Sequence, residues 1–484
     1  MHIAGSRHDT IAAIATPPGS GGVGIIRASG PDARAIGQRL FSSAHAEFNG
    51  FKPYRLHHGW IADERGKRLD EALVAFMPGP GSYTGEDVVE FNCHGGPAVL
   101  QAVLAAVLTA GARTANPGEF TYRAFMNGRL DLTQAEAVAE TIAAPTRAGL
   151  TLAQAKLDGA LGRQITTLRG QLENLRIKLC VAVDFPEEEV ECLSPEEFLD
   201  GVAAVRAGLA VLLGNYERNR CWREGALTVL AGQVNAGKSS LMNALLGRER
   251  AIVTDIPGTT RDYLEEALNL EGLPVRLVDT AGLRETEDVV ERAGLERSRA
   301  LAAQANLVLL VVDRQRALAA DDVALAQDIG PAKTLVVLNK TDLSAQPIPL
   351  SGSTPVAQEL KTSSEAPFPM DTGWFAAAGF ETLAISAKTG QGLDALCNRI
   401  RERIVGSGTE PDAGELVPNL RQSQALSSAL EELQALETDI QARLPYDLLG
   451  VRLETACSIL SEITGEIAPA SVLEAVFGRF CIGK

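Results

Sequence analysis

The stretch Gly232–Ser239, GQVNAGKS, sets a lysine and a serine behind two glycines at the spacing Gly-x-x-x-x-Gly-Lys-Ser. It lies between the apolar, strand-like run ALTVLA and the helix-like run SLMNALLG. In that context the pattern predicts a P-loop, in which glycines let successive backbone N–H groups wrap a phosphate at a helix N-terminus. Lys238 is then placed for the β- and γ-phosphates and the Ser239 hydroxyl for magnesium. Asn235, Ala236, Gly237 and Ser240 complete the loop's expected nucleotide contacts. A Gly-rich turn that binds nothing is the bland alternative, and the motifs that follow weigh against it.

Those motifs stand in the order that a guanine-nucleotide site requires. VTDIPGTTRD supplies hydroxyls at Thr259 and Thr260 to sense the γ-phosphate and its metal, behind Thr254, Asp255, Ile256, Pro257 and Gly258. VDTAG puts Asp279 at the end of an apolar run, where it can hold a magnesium shell through water, followed by Thr280, Ala281 and Gly282. LVVLNKTD places Asn339, Lys340 and Asp342 after a second buried run. The Asp342 carboxylate can accept two hydrogen bonds from the ring N–H and amino group of guanine. Adenine would leave it unpaired, a discrimination in the ~10⁴-fold class. ISAKTG, Ile385–Gly390, fits the last base-contacting loop through Ser386, Ala387 and Lys388.

One position departs from the usual hydrolytic switch. The residue after Asp-Thr-Ala-Gly is often a glutamine that orients the attacking water, and here it is Leu283. Two readings stand open. Leu283 packs under the loop and hydrolysis waits for another protein's arginine, or a cation and a second acid take over. Asn235 offers a side-chain oxygen to a monovalent cation beside the phosphates, and carbonyls of TDIPGTT could complete its shell. Such a cation would neutralise charge where an arginine finger otherwise does, a ~10³- to 10⁵-fold effect. Glu291, in DVVERAG, is the next acid able to position water; by itself it also reads as an exposed helical glutamate.

These residues need a frame. At 484 residues, with 45% hydrophobic and 22% charged residues, the chain has an ordinary soluble composition and length for about three domains. Residues 1–128 alternate short apolar runs with Gly and Pro and read as strands with one or two helices. Residues 129–224 turn to helical periodicity, 225–404 alternate strands and helices, and 405–484 return to helices. That order predicts a nucleotide domain inserted into a helical one. The Pro- and Ser-rich stretch Ser344–Trp374 reads as a surface insertion between two guanine-reading motifs. Seven cysteines show no Cys-x-x-Cys pair, which argues against zinc and disulfides and for a reducing cytoplasm. No run is long enough to span a membrane. The net charge of −16 lacks the basic footprint of a dedicated nucleic-acid binder, so RNA contact would need a local patch or a partner.

The whole pattern resembles the MnmE (TrmE) family of tRNA modification GTPases, over essentially the full chain. The motifs that carry the likeness are ATPPG, SYTGEDVVE with HGG, NPGEFTYRAFMNGRLDLTQAEAV, the P-loop with Asn235, GTTRD, DTAGLR and the terminal FCIGK. The resemblance implies an α/β multidomain protein: an N-terminal α+β tetrahydrofolate-binding and dimerisation domain, a discontinuous helical domain, and an inserted Ras-like P-loop G domain. It implies a homodimer whose GTP hydrolysis is stimulated by potassium. Carried over by motif, the potassium ligands are Asn235, Thr254, Ile256 and Thr259, the magnesium ligands Ser239 and Thr260, and the water-positioning acid Glu291. The folate site falls on Arg27, Glu90, Arg129 and Lys484, for a 5-formyl or 5,10-methylene derivative. Glu90 makes physical sense there, since a carboxylate can pair with a pterin as Asp342 pairs with guanine. Arg129 stands where the family often has lysine, and Val234 where it often has proline. Cys481 is a nucleophile candidate or a structural thiol.

The implied partners are tRNA and MnmG (GidA), the latter holding FAD, which fits the lack here of a dinucleotide-binding Gly-x-Gly-x-x-Gly that follows a strand and opens a helix. The implied reaction adds an aminomethyl or carboxymethylaminomethyl group to a wobble uridine. The rival reading is a ribosome-assembly GTPase switch, but no basic tail or Gly-x-x-Gly clamp follows the G domain.

Overall fold

The computed structural model describes residues 9–184, 194–248, 265–279, 300–316, 318, 320–343, 372–406, 410–412 and 414–484. Two compact units share the chain: Met1–Ile142 with Ala153–Tyr216 and Leu416–Lys484, and Ala143–Leu152 with Glu217–Glu415.

The first unit opens with β1 (Ile11–Ile14), β2 (Gly21–Ser29), β3 (Phe41–Ser43), β4 (Leu56–Ala62), β5 (Arg68–Met77), β6 (Val88–Gly95) and β7 (Arg113–Thr114). They form one sheet in the order β3-β4-β5-β6-β2-β1-β7. All pairs are antiparallel except β1 with β7. Alternation along the strands sorts side chains to two faces. Ile26, Ala28, Val74, Phe76, Val89 and Phe91 point inward and pack with Ile36 and Leu40 of helix Ala33–Leu40 and with Leu100, Val103 and Val107 of helix Pro97–Thr109. Arg27 and Glu90, one residue out of phase, therefore fall on the other face, and the register sets them directly opposite each other.

Four long helices build a second core in that unit: Ala160–Asp184, Pro195–Glu224 as far as Tyr216, Leu420–Gln441 and Tyr446–Thr464. Leu161, Ile165, Leu168, Leu172, Leu175 and Leu179 recur every three or four residues, as an apolar stripe requires. They meet Phe198, Val202 and Leu209, Leu426 and Leu433, and Leu453 and Leu460. Residues on either side of the inserted segment are joined by Glu136, whose two oxygens each accept from Arg421 at 2.7 Å. Gln422 adds a bond to Glu136 at 2.6 Å, and its helix starts in a capping box with Asn419.

The second unit holds β8 (Ala226–Ala231), β9 (Glu265–Leu270), β10 (Leu273–Asp279), β11 (Leu307–Asp313), β12 (Thr334–Asn339) and β13 (Glu381–Ala384). Their order is β13-β12-β11-β8-β10-β9, parallel except for the β9–β10 pair. The inner strands β8, β10, β11 and β12 are buried almost throughout because a parallel sheet is covered on both faces, whereas the edge strands β9 and β13 alternate. β8 pairs with β10 on one side and β11 on the other, so the strand order switches at its C-terminal end, where open α/β sheets bind ligands. Most of the Ser344–Trp374 stretch lies outside the described residues, but its last three residues open helix Thr372–Ala377. Trp374 stacks on Phe380 with ring centroids 6.0 Å apart and meets Phe375 at 5.2 Å, so the end of that stretch packs on a core rather than lying free on the surface. The aromatic spacing, absent from the Pro- and Ser-rich part, is the reason.

Candidate functional site

Every described nucleotide-motif residue sits at or just past the C-terminal end of a strand in the second unit. Gly232 follows β8, Asp279 ends β10, Asn339 ends β12 and Ser386 lies two residues past β13. The loop after β8 needs unusual backbone. Gly232 has φ +126°, and a Cβ there would lie 2.2 Å from the Val311 carbonyl. Gly237 has φ +98°, with its would-be Cβ 2.3 Å from Asn339 Nδ2. Only glycine fits either place. Helix Lys238–Arg248 then begins, which points its first N–H groups into the loop.

Within that loop Lys238 is buried and its Nζ donates to the carbonyls of Gly232 and Gln233, each at 2.8 Å. The ammonium is thus aimed across the loop mouth, at the edge where phosphate oxygens would lie. Ser239 Oγ donates to Asp279 Oδ2 at 2.8 Å, which joins hydroxyl and carboxylate in one donor set. Two hard oxygens at that spacing suit a magnesium shell. Ala236 is buried and Ser240 exposed on the helix's first turn. Asn235 stands at φ +66°, a turn that non-glycine residues adopt rarely and that asparagine tolerates best.

The residues expected to read the base divide their contacts. Asn339 is buried; its Nδ2 donates to Ala236 O at 3.0 Å and its Oδ1 accepts from Ala387 N–H at 3.0 Å. It splices the P-loop to the Ser386–Lys388 loop. Lys340 Nζ donates to Asn235 O at 2.9 Å and to Asp313 Oδ2 at 2.7 Å. Ser386 Oγ donates to Asp342 Oδ1 at 2.7 Å. That bond first, and the nearby Lys388 and Lys340 charges after it, hold the Asp342 carboxyl below the usual carboxylate range despite some desolvation. Asp342 is therefore ionised and exposed, ready to accept from a base edge. Thr254, Asp255, Ile256, Pro257, Gly258, Thr259, Thr260, Thr280, Ala281, Gly282, Leu283 and Glu291 lie outside the described residues.

A second polar cluster forms in the first unit. Arg27 Nε donates to Glu90 Oε1 at 2.7 Å, its NH1 donates to Gly483 O at 3.3 Å, and its guanidinium lies 5.7 Å from the centre of the Phe120 ring. Gly483 reaches this place because its φ is +99° and no Cβ blocks the approach to Ile14 O, which would lie 2.4 Å away. Lys484 follows, half-buried. Burial first and the Arg27 charge second push its ammonium below the usual lysine range, against the pull of Glu90. Three of the four sequence-expected residues thus converge, and an acceptor pair with two cations suits an anionic, amide-rich ring ligand. Arg129 is exposed; its side chain passes 3.3 Å from the site of a Gly85 Cβ, and no hydrogen bond or ion pair joins it to the other three among the described residues. Cys481 is exposed, and among the described residues no hydrogen bond reaches its thiol.

Sequence reasoning missed the groups that brace both sites. Asp313 ends β11 as Asp279 ends β10, and a lone charge after the run LVLLVV was the available signal. Phe120 and Gly483 of the second cluster carried none. On the helix that carries Phe120, Arg123 is buried and binds Asp9 Oδ1 at 2.6 Å, Glu86 Oε2 at 3.1 Å and Glu119 Oε1 at 3.2 Å. Arg113 adds bonds to Asp9 Oδ2 at 2.7 Å and Glu119 Oε1 at 2.5 Å. Burial raises Glu119, but hydrogen bonds from Arg113 and the Asn116 N–H outweigh it and hold this carboxyl below its usual range. The network pins the Asn116–Arg123 segment to the residues leading into β1.

Fold and site together define a P-loop guanine-nucleotide-binding protein that carries an additional sheet and a helical bundle. The model of the GTP-binding protein TrmE N-terminus matches residues 10–129, and that of the MnmE helical domain matches residues 132–481. The tRNA modification GTPase MnmE of Nitratidesulfovibrio vulgaris (strain DP4) is 54% identical over 479 residues, covering 98% of this chain and 99% of the relative. Its counterpart from Lawsonia intracellularis (strain PHE/MN1-00) is 44% identical over 478 residues, covering 98% and 100%. The chain belongs to the MnmE family of tRNA modification GTPases. Among solved structures, the G domain of the T. maritima FeoB iron transporter is 25% identical over 37% of this chain and 98% of its own, with a TM-score of 0.25, too low to carry an argument. No described helix is long and apolar enough to cross a membrane.

Proposed function

We propose that this chain is a potassium-stimulated GTPase that acts as a homodimer with an FAD-dependent MnmG partner in the cytoplasm. Together they install an aminomethyl or carboxymethylaminomethyl group on the wobble uridine of certain tRNAs, using a tetrahydrofolate one-carbon unit. The observation that carries the nucleotide half is the convergence of Lys238, Ser239 with Asp279, and Asp342 with Ser386 at the C-terminal ends of β8, β10, β12 and β13. The Arg27–Glu90–Lys484 cluster supports the folate half. In this reading Ser239 and Thr260 hold magnesium, and Asn235, Thr254, Ile256 and Thr259 hold potassium, whose charge offsets that built up between the β- and γ-phosphates. Glu291 orients the water that Leu283 cannot. The lysine positions phosphate, the Asp342 carboxylate selects guanine, and Asn339 keeps the two loops in register.

Two measurements test it. GTP hydrolysis should run faster in KCl than in NaCl at equal ionic strength, with the difference flattened in Asn235→Ala; equal rates in both salts would sink the cation. Nucleoside mass spectrometry of tRNA from cells lacking the protein should show loss of 5-carboxymethylaminomethyl-type uridines, restored by the wild type and not by Glu291→Ala. An unchanged nucleoside profile in cells that retain the partner enzyme would overturn the tRNA role.

A further inference from the structure

Asp313 belongs to none of the nucleotide motifs, yet it sits among them. β11 and β12 are parallel neighbours with Asp313 opposite Asn339, so the carboxylate lies one residue in register from Lys340. Lys340 adopts φ +68°, and its ammonium bridges Asp313 Oδ2 at 2.7 Å and the Asn235 carbonyl at 2.9 Å. Asp313 is buried at 7% exposure. Its other oxygen accepts from the Gln315 N–H at 3.0 Å, and the only further cation near it among the described residues is Arg316, at 3.7 Å. Behind the P-loop, a cavity of about 10 Å³, room for roughly one water, is lined by Asp313 and Arg316 together with Gln233, Ala236 and Asp322. Asp313 acts here by direct contact with the Lys340 ammonium.

The chain of contacts ends on the P-loop. Asn235, at φ +66°, holds a left-handed conformation that its neighbours must fix in place. Two bonds do so: Lys340 on the Asn235 carbonyl and Asn339 on the Ala236 carbonyl. Without Asp313 the Lys340 stem is free to swing toward solvent, and one of those two bonds goes with it.

We propose that Asp313 is a positioning residue for the nucleotide: through Lys340 it holds the Asn235 turn of the P-loop, so the base-reading loop and the phosphate loop are set together. This rests on the GTPase reading above. It also makes the cation response depend on a carboxylate that touches neither cation nor nucleotide, because Asn235 is the proposed cation ligand.

The test uses the full-length protein with a fluorescent GDP analogue and a KCl series at constant ionic strength. A hydrogen bond to a charged group contributes roughly 1.5–3 kcal/mol, so Asp313→Asn should speed GDP release by ~10-fold or more. It should also raise the KCl concentration for half-maximal hydrolysis, while the rate at saturating KCl stays near wild type. Lys340→Met should do at least as much, and the double variant should add little to Lys340→Met, since both changes remove one chain of contacts. Asp313→Ser, which keeps an acceptor for Gln315, runs in parallel should the asparagine variant fold poorly. Normal GDP release in Asp313→Asn, or full additivity with Lys340→Met, would overturn the proposal alone. A wild type that binds no guanine nucleotide would overturn the GTPase reading with it.

Discussion

The two polar sites of this molecule are built by opposite means. The nucleotide site is a row of strand ends: each motif contributes a turn, and the parallel sheet lines the turns up. Most of its hydrogen bonds run from a side chain to a main-chain carbonyl or N–H. The Arg27–Glu90–Lys484 cluster has no contiguous motif. It joins a cross-strand pair 63 residues apart to a chain end 456 residues from Arg27. One site depends on local backbone conformation, the other on register and on where the tail is anchored. That anchoring is hydrophobic: Phe477 packs against Tyr122 at 5.4 Å and Phe480 at 5.8 Å, and Gly118 lets the Phe477 carbonyl come within 2.4 Å of where a Cβ would stand.

The largest expected effect falls on the locally built site. Asp342→Asn keeps one acceptor oxygen and puts an amide NH2 in place of the other, so one N–H of guanine would face a donor in the complex. GTP affinity should drop by ~10³-fold or more, while xanthosine triphosphate, which offers a carbonyl there, should bind better than to the wild type. Competition binding with both nucleotides checks it; an unchanged preference would remove Asp342 from base recognition.

A smaller loss should follow at the assembled site. Arg27→Ala removes a charge-assisted bond to Glu90 and the hold on Gly483, so the affinity for 5-formyl-tetrahydrofolate should fall by ~10- to 100-fold. Hydrolysis of GTP by the same variant should stay near wild type. Calorimetry on both ligands sharpens the contrast between the units, and a variant that binds folate normally would empty this cluster of that role.

The smallest effect concerns stability. Glu119→Gln should cost ~1–3 kcal/mol at neutral pH, because a buried carboxylate with charged donors is exchanged for an amide. The sign with pH is defined. Glu119 is held below 4.5, so the unfolded chain binds its proton more readily. The stabilisation is present above that value and is lost as pH falls through the lower folded value. Melting curves of wild type and variant should converge below pH ~4.5; a constant gap down to pH 3 would mean that packing, not charge, sets the difference.

Much of this is legible in the sequence. The P-loop, the Asn339–Asp342 motif and the Ser386–Lys388 loop were readable because eight or fewer contiguous residues specify a turn, and a turn specifies where its N–H groups and carbonyls point. Helical periodicity in Leu161–Leu179 announced the bundle for the same reason. Asp313 was harder, since an aspartate ending a buried run announces only that something polar waits there. Alternation in β2 and β6 assigned Arg27 and Glu90 to a face but could not name the partner, because register is set by packing across the sheet.

From the sequence alone came the class of protein, a GTPase: a glycine pattern for wrapping phosphate, a carboxylate expected to read guanine and a chain order of motifs, all encoded in short-range backbone geometry. The tertiary structure decided which charges meet: Lys340 with Asp313, Arg27 with Glu90 and the last two residues, Arg123 with Asp9, Glu86 and Glu119. A hydrogen bond or ion pair acts over a few ångströms. Residues tens or hundreds of positions apart reach that distance only after the hydrophobic cores have fixed strand register and the path of the tail.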